Sequence, residues 1–186
     1  EAGEEIHAFA KKADIPVVTT PDGKTVIDEK DDLWAGIVGF YGMNCANYTA
    51  AHSDLIIFIG TQTADQTTND WQTPSPDKRV IQIDIDAAEL GKNYPNSIGL
   101  HGDAKIIVKQ LTEAVERKTR SEWRKAVKDN TDETLAHYEK LIHTENTPMM
   151  PERLCREVEK ALPEDAVLVS DTGYSAIWTS TMIRMK

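Results

Sequence analysis

The sequence predicts an α/β fold, a three-layer domain built around a parallel sheet. Helical and strand patterns alternate along most of the chain. The segment 54–60, DLIIFIG, is apolar almost throughout, as in a parallel strand covered on both faces. The segment 79–95, RVIQIDIDAAELGKNYP, opens on the β-branched run Val80, Ile81, Ile83 and Ile85 and sets Asp84 and Asp86 where a strand should end.

In chain order, residues 2–13 carry apolar side chains at helical spacing (Ile6, Phe9, Ala10, Ala13), and residues 15–19 read as a short strand. A polar loop, 21–32, follows. Residues 33–42, LWAGIVGFYG, hold three glycines, the mark of a backbone that turns tightly or is closely approached. Residues 44–52 read as a short helix, 54–60 as a strand, and 61–78 as a long polar loop with Pro74 and Pro76. The strand 80–85 and a helical turn at 87–91 come next, then a short strand at 97–100. Asp103 is placed to cap a helix with the stripe Ile107, Val108, Leu111 and Val115. The charged stretch 119–143 reads as a surface or linking helix. Pro151 suits the first turn of another, with Leu154, Val158 and Leu162 on one face. Residues 166–170 read as a strand, and Asp171, Thr172 and Gly173 as the turn after it.

The chain has 186 residues and a net charge of −10, a balance that disfavours nucleic acid as a partner. No stretch is apolar for long enough to cross a membrane, and no secretory signal is visible. Cys45 and Cys155 lie far apart and the five histidines have no metal-site spacing, so a cytoplasmic location without disulfides or a metal centre is expected. Cys45 and the four tryptophans read as packing residues. The first helix has no strand before it and the last strand and turn lead into an element barely begun. Both ends read as cut, and the chain as a piece of a longer polypeptide.

Long loops at strand C-termini are where α/β proteins place their sites. Asp84 and Asp86 at such an end fit a ribose-holding edge, though spacing alone favours an ordinary polar turn. Gly173, Tyr174 and Ser175 fit a strand-to-helix turn whose N–H groups face an anion, and equally a plain turn.

Six blocks in order, IPVVTTPDGKTVID, GIVGFYG, SDLIIFIGTQTADQTT, VIQIDIDAAELGKNYP, GDAK and LPEDAVLVSDTGYSAIW, resemble the thiamine diphosphate-dependent enzymes of the acetolactate synthase and pyruvate oxidase type. The resemblance implies a Rossmann-like central domain of the kind that holds FAD or NAD in relatives, over residues 1–143 and lacking its first strand. A linker at 144–150 and the opening of the diphosphate-binding domain at 151–186 would follow. It implies a parent that decarboxylates a 2-oxo acid, as a lyase or transferase, using thiamine diphosphate and Mg²⁺. The activating Glu of the family's pyrimidine domain and the Gly-Asp-Gly metal motif of its diphosphate-binding domain lie in segments not present here, so no catalytic residue is assigned and the piece is expected to be inactive alone. Its partners would be the remaining domains of the parent subunit, in a homo-oligomer.

By position, the resemblance implies that FAD or ADP in the central domain would meet Gly39, Phe40, Tyr41 and Gly42, then Gly60, Thr61 and Gln62, with Asp84, Asp86 and Asp103 beside them. Gly173, Tyr174 and Ser175 would approach the thiamine diphosphate. The sequence departs from the family at Gln62 and Gln66, where arginines are usual, and at Phe40-Tyr41, where Met-His is usual. The alternative is a structural or nucleotide-binding module with no catalytic role.

Overall fold

A computed structural model describes residues 2–185. The outer limits of the two expected domains, residues 1 and 186, therefore lie outside the described residues. Helix α1 (Gly3–Ala13) has Glu4 and Glu5 in its first turn and Lys11 and Lys12 in its last, matching the helix dipole. Asp14, in the left-handed conformation, ends it and turns the chain into β1 (Val17–Thr19). Then come β2 (Trp34–Ile37), α2 (Asn44–His52), β3 (Leu55–Ile59), α3 (Asp65–Thr68), β4 (Arg79–Asp84), β5 (Ile98–His101) and α4 (Ala104–Ala114). Three more helices complete the order: α5 (Ser121–Ile142), α6 (Pro151–Ala161) and α7 (Tyr174–Met182).

All pairings are parallel, as expected for an α/β domain, but the strands form two sheets, β2-β1 and β3-β4-β5. In the second, Ile57 lies opposite Ile81, and Ile83 lies between Ile59 and Leu100. Helix α1 spans both sheets. Its Phe9 and Ala13 pack with Ile83, Val108, Ile57 and Ile59, while its Ala10 packs with Trp34, Ile37 and Met43. Helix α4 packs against α1, and α2 packs on β1 and β2 with α5 against it. These are the helix–sheet–helix layers that the alternating pattern predicts.

Several expectations need correction. The glycine-rich segment is not all turn: Trp34–Ile37 is a fully buried strand. Gly36 has φ 101° there, and a Cβ on it would stand 2.8 Å from the Cys45 sulfur, so the glycine admits α2 to the sheet. Strand β3 is less covered than its composition suggests, with Leu55 41% exposed. Strand β4 stops at Asp84, leaving Ile85 outside it and exposed. Helix α5 is no surface linker: Val127, Thr131, Thr134 and Ile142 are buried, and Leu135 and Tyr138 pack on the core. In α6 the buried side chain is Cys155, and Leu154 faces out. Residues 166–170 form no strand; Val167 and Val169 are 87% and 88% exposed. Their β-branched pattern suits a ladder, and among the described residues no neighbouring strand completes one.

The C-terminal segment is held by one carboxylate. Glu29 is 1% exposed, with the Lys24 ammonium 2.6 Å from its Oε2. Lys24 also donates to the Ser180 carbonyl, and the Met185 N–H donates to Glu29 Oε2 at 2.8 Å. Arg184 donates to the Glu29 carbonyl and lies over the Trp34 ring. Burial lowers the Lys24 pKa, with the Glu29 hydrogen bond opposing that shift.

Candidate functional site

Parallel strands end on the same edge, so the segments after β2, β3, β4 and β5 share one rim. Three backbone hydrogen bonds step across it. The Phe40 N–H donates to the Gln66 carbonyl at 2.7 Å, Gly60 N–H to the Ile83 carbonyl at 2.9 Å, and Gly102 N–H to the Asp84 carbonyl at 2.9 Å. The rim thus brings together four of the five predicted groups: 39–42, 60–62, Asp84 with Asp86, and Asp103. The fifth lies apart. Gly173 precedes α7 with φ 117°, Tyr174 is 71% exposed, and the Ser175 hydroxyl donates to the Asp171 carbonyl four residues back. The hydrogen bonds of that turn are local.

The first rim loop is locked from within. Asn47 on α2 accepts from the Gly39 N–H at 3.0 Å and donates to its carbonyl at 2.9 Å. Gly42 N–H donates to the Gly39 carbonyl, and Met43 N–H to that of Ile37. A Cβ on Gly39, whose φ is 125°, would meet the Gln66 carbonyl oxygen at 2.6 Å, so only glycine lets the two loops touch. Phe40 and Tyr41 project outward, 57% and 51% exposed, with their rings edge to face and centroids 4.9 Å apart.

The second loop is pinned by Asn93, which donates to the carbonyls of Gln62 and Thr63 and to the Thr63 hydroxyl. Thr63, buried with φ 50°, also accepts the Trp71 indole N–H through its carbonyl. Asn69, Asp70 and Trp71 form a left-handed stretch, with φ 51°, 54° and 58°. Such backbone costs about 1–2 kcal/mol per residue and is concentrated at functional sites. Trp71 is 42% exposed and departs from the expectation that every tryptophan packs inside; Trp34 is buried. Gly60 has open space around it.

On the acidic side, Asp84 is buried and its Oδ1 accepts from the Asp86 N–H, while Asp86 Oδ1 accepts from Ala88 N–H. Asp103 accepts from Ile106 N–H at 3.0 Å and caps α4 as predicted. The turn at 86–91 is held by Gln82 in the middle of β4. Its amide donates to the Glu89 carbonyl and accepts from Gly91 N–H, and the residue is 1% exposed. Asn47, Gln82 and Asn93 do the positioning, and no expectation included them. Gln82, a lone amide within an apolar strand, was the readable signal; Asn47 and Asn93 sit among ordinary polar residues.

These donors decide what the rim suits. A diphosphate needs N–H groups or cations, and the N–H groups of Gly39, Phe40, Gly42 and Gly60 are already spent inside the protein. Gln62 and Gln66 supply no charge. The exposed aromatic pair and the carboxylates of Asp84 and Asp86 suit a flat ring and hydroxyl donors. Among the described residues no three His, Cys, Asp or Glu side chains are grouped so as to hold a metal ion. Both described cysteines are free and buried, and burial pushes the Cys45 thiol up, away from a reactive thiolate. No helix of the described residues is long and apolar enough to cross a membrane.

Residues 1–111 match the family model described as "Thiamine pyrophosphate enzyme, central domain". Among curated proteins, the chain is 29% identical to the "Probable acetolactate synthase large subunit" of Methanocaldococcus jannaschii, with 100% of the chain and 32% of that protein aligned. It is 29% identical to the acetolactate synthase large subunit of Corynebacterium glutamicum, over 98% of the chain and 30% of that protein. Against the isozyme 1 large subunit of Escherichia coli the identity is 26%, over 96% and 31%. The chain therefore spans about a third of the length of these relatives. With its parallel sheet, its layered helices and this match, the chain belongs to the thiamine pyrophosphate enzyme family, as a central domain with sequence beyond it.

Proposed function

We propose that the chain is part of a thiamine diphosphate- and Mg²⁺-dependent enzyme of the acetolactate synthase type, a lyase or transferase that decarboxylates a 2-oxo acid and releases or condenses the two-carbon unit. The observation that carries this is the alignment of nearly the whole chain with one third of several acetolactate synthase large subunits. In this reading the chain contributes scaffold and no reacting group. The cofactor, when bound, supplies the carbanion chemistry. Gly173, Tyr174 and Ser175 would lie near its diphosphate once the rest of that domain is present, and residues 144–150 would link the two domains. The remaining domains of the subunit are its partners, in a homo-oligomer in the cytoplasm. The free cysteines support the reducing compartment.

The test is an assay of the full polypeptide with pyruvate, thiamine diphosphate and Mg²⁺, reading acetolactate against acetaldehyde. Either product supports the reading; neither product, with folded protein and several 2-oxo acids tried, sinks it. The 186-residue chain alone should form neither.

A second reading, nucleotide binding at the rim, is favoured by the exposed Phe40–Tyr41 pair, whose loop meets the loop after β3 through the Phe40 N–H and the Gln66 carbonyl. The spent N–H groups support a site for the adenosine end of FAD or ADP more than for its diphosphate. Adenosine should then raise the melting temperature about as much as ADP does. A ligand at about 100 times its dissociation constant adds ~2.7 kcal/mol. No shift with adenosine, ADP, FAD or NAD leaves the rim structural.

A further inference from the structure

Among the described residues Glu29 is the most deeply buried carboxylate, 1% exposed, and the rim makes no use of it. It sits in the loop between β1 and β2, yet all its polar groups turn to Lys24 and to residues 184–185. Its Oε1 and Oε2 accept from the Lys24 ammonium at 2.7 and 2.6 Å, and Oε2 also accepts from the Met185 N–H at 2.8 Å. Its own N–H donates to the Met185 carbonyl at 3.4 Å, and its carbonyl accepts from Arg184. Lys24 donates onward to the Ser180 carbonyl at 3.0 Å. Residues 180–185, which close α7, therefore form a strap over this loop, with the Arg184 guanidinium 5.3 Å from the centre of the Trp34 ring. Ile183 is the apolar anchor of the strap, 1% exposed. The rest of the contact is incomplete: Trp34 Nε1 and Arg184 Nε are buried with no hydrogen-bond partner. Two unpaired buried donors oppose docking, so the strap leans on Glu29.

We infer that Glu29 and Lys24 form a charge-dependent latch. With both ionised, residues 180–185 stand fixed against the β1–β2 loop; with either charge removed alone, the strap lifts and Trp34 is uncovered. The reason is the depth of the pair. The Lys24 and Glu29 side chains are 14% and 1% exposed, so a charge left without its partner is stranded where water scarcely reaches it. Lifting the strap rehydrates that charge. No other group replaces the missing partner. Glu159 on α6 favours the Lys24 ammonium and Arg184 opposes it, and among the described residues the carboxylate within salt-bridge distance of Lys24 is that of Glu29. Removing both charges is different. The pair is then neutral, and the amide oxygen placed by Glu29→Gln still accepts from the Met185 N–H. Helix α7 is a single nine-residue element, so a latch at its end also limits movement of the turn at Gly173.

Trypsin tests the latch, because Arg184 belongs to the strap and is also a residue after which the enzyme cuts. Cleavage between Arg184 and Met185 in the full polypeptide, followed by mass spectrometry, tracks the lifted fraction. Glu29→Gln and Lys24→Met should each accelerate it about 100-fold. The double variant Lys24→Met/Glu29→Gln should stay within about 10-fold of the unmodified protein. A double variant cut as fast as the singles, or singles cut no faster than the unmodified protein, would overturn the inference, since packing at Ile183 would then hold the strap alone. If neither single variant folds, the double variant and amide exchange still decide. The double variant should fold, and the Met185 amide of the unmodified protein should exchange about 100-fold more slowly than in an unstructured peptide. A double variant that fails to fold as well, or a Met185 amide without protection, would end the proposal.

Discussion

Strand β4 and residues 166–170 are built alike and end differently. RVIQID and AVLVS are both short, β-branched and bounded by polar residues. In β4, Ile83 is wholly buried between Ile59 and Leu100, with α1 and α4 above it. In 166–170, Val167 and Val169 are almost fully exposed, and among the described residues no strand lies alongside. Local sequence therefore selects an extended backbone in both places, and neighbours decide whether it becomes a strand. β propensity measures fit to a pleated, half-buried surface, and only β4 has that surface.

The largest way to break the contrast is to empty its buried side. Ile83→Ala should cost about 2–5 kcal/mol, because it removes packing between two strands and two helices and leaves a cavity. Urea unfolding followed by circular dichroism reads it as a lower midpoint at unchanged slope. A loss below about 0.5 kcal/mol would mean that β4 is as loosely held as 166–170.

The second change tests whether β4 also builds the rim. Gln82→Leu keeps the volume and strips the Glu89 carbonyl and the Gly91 N–H of their partner. Leaving such groups unpaired costs about 1–3 kcal/mol. The effect should appear locally too, as faster amide exchange over 86–91 with β4 itself unchanged. An unchanged turn would show that Asp86 and Ala88 hold it alone.

How much of this was legible follows the same division. Where one segment carries its own instruction, the reading held: Asp103 caps α4, the apolar runs gave β3 and β4, and the acidic residues fell at the end of β4. Where the instruction lies in a distant partner, it failed. Gly36 reads as a turn until Cys45 is seen against it. The polar face of α5 hides Val127 and Ile142, which find cover only against the core and α6. The rim's segments were recognisable from the strand order, but its locks were not. Asn47 and Asn93 act on residues 8 and 30 positions away, a relation that no local pattern encodes.

A third prediction uses the face of the sheet opposite α1. Tyr94 is 1% exposed, its ring 5.3 Å from Phe58, and its hydroxyl donates to the Pro74 carbonyl at 2.9 Å. Burial raises its pKa from 10.0 to about 12. Because the folded value lies above the unfolded one, the neutral phenol favours folding fully below pH 10, and that contribution is lost as pH rises towards about 12. Tyr94→Phe should cost about 1 kcal/mol at neutral pH through the lost hydrogen bond. It should also flatten the alkaline fall in stability between those two values. An equally steep fall in the variant would place the titrating group elsewhere.

The smallest effect is the sharpest test of the contrast. Val167→Thr keeps the β-branched shape and adds a hydroxyl, a change that would bury an unpaired polar group if a sheet covered this residue. In the 186-residue chain, where Val167 is 87% exposed, unfolding should shift by no more than about 0.5 kcal/mol. The same substitution in the full polypeptide should cost more, about 1–3 kcal/mol, if residues 166–170 take their place in a covered sheet there. Equal costs in the two settings would mean that this segment stays outside any sheet, and that the match between AVLVS and a strand ends at its composition. A larger cost in the longer chain would make β4 and 166–170 the same kind of element, one seen with its neighbours and one without them.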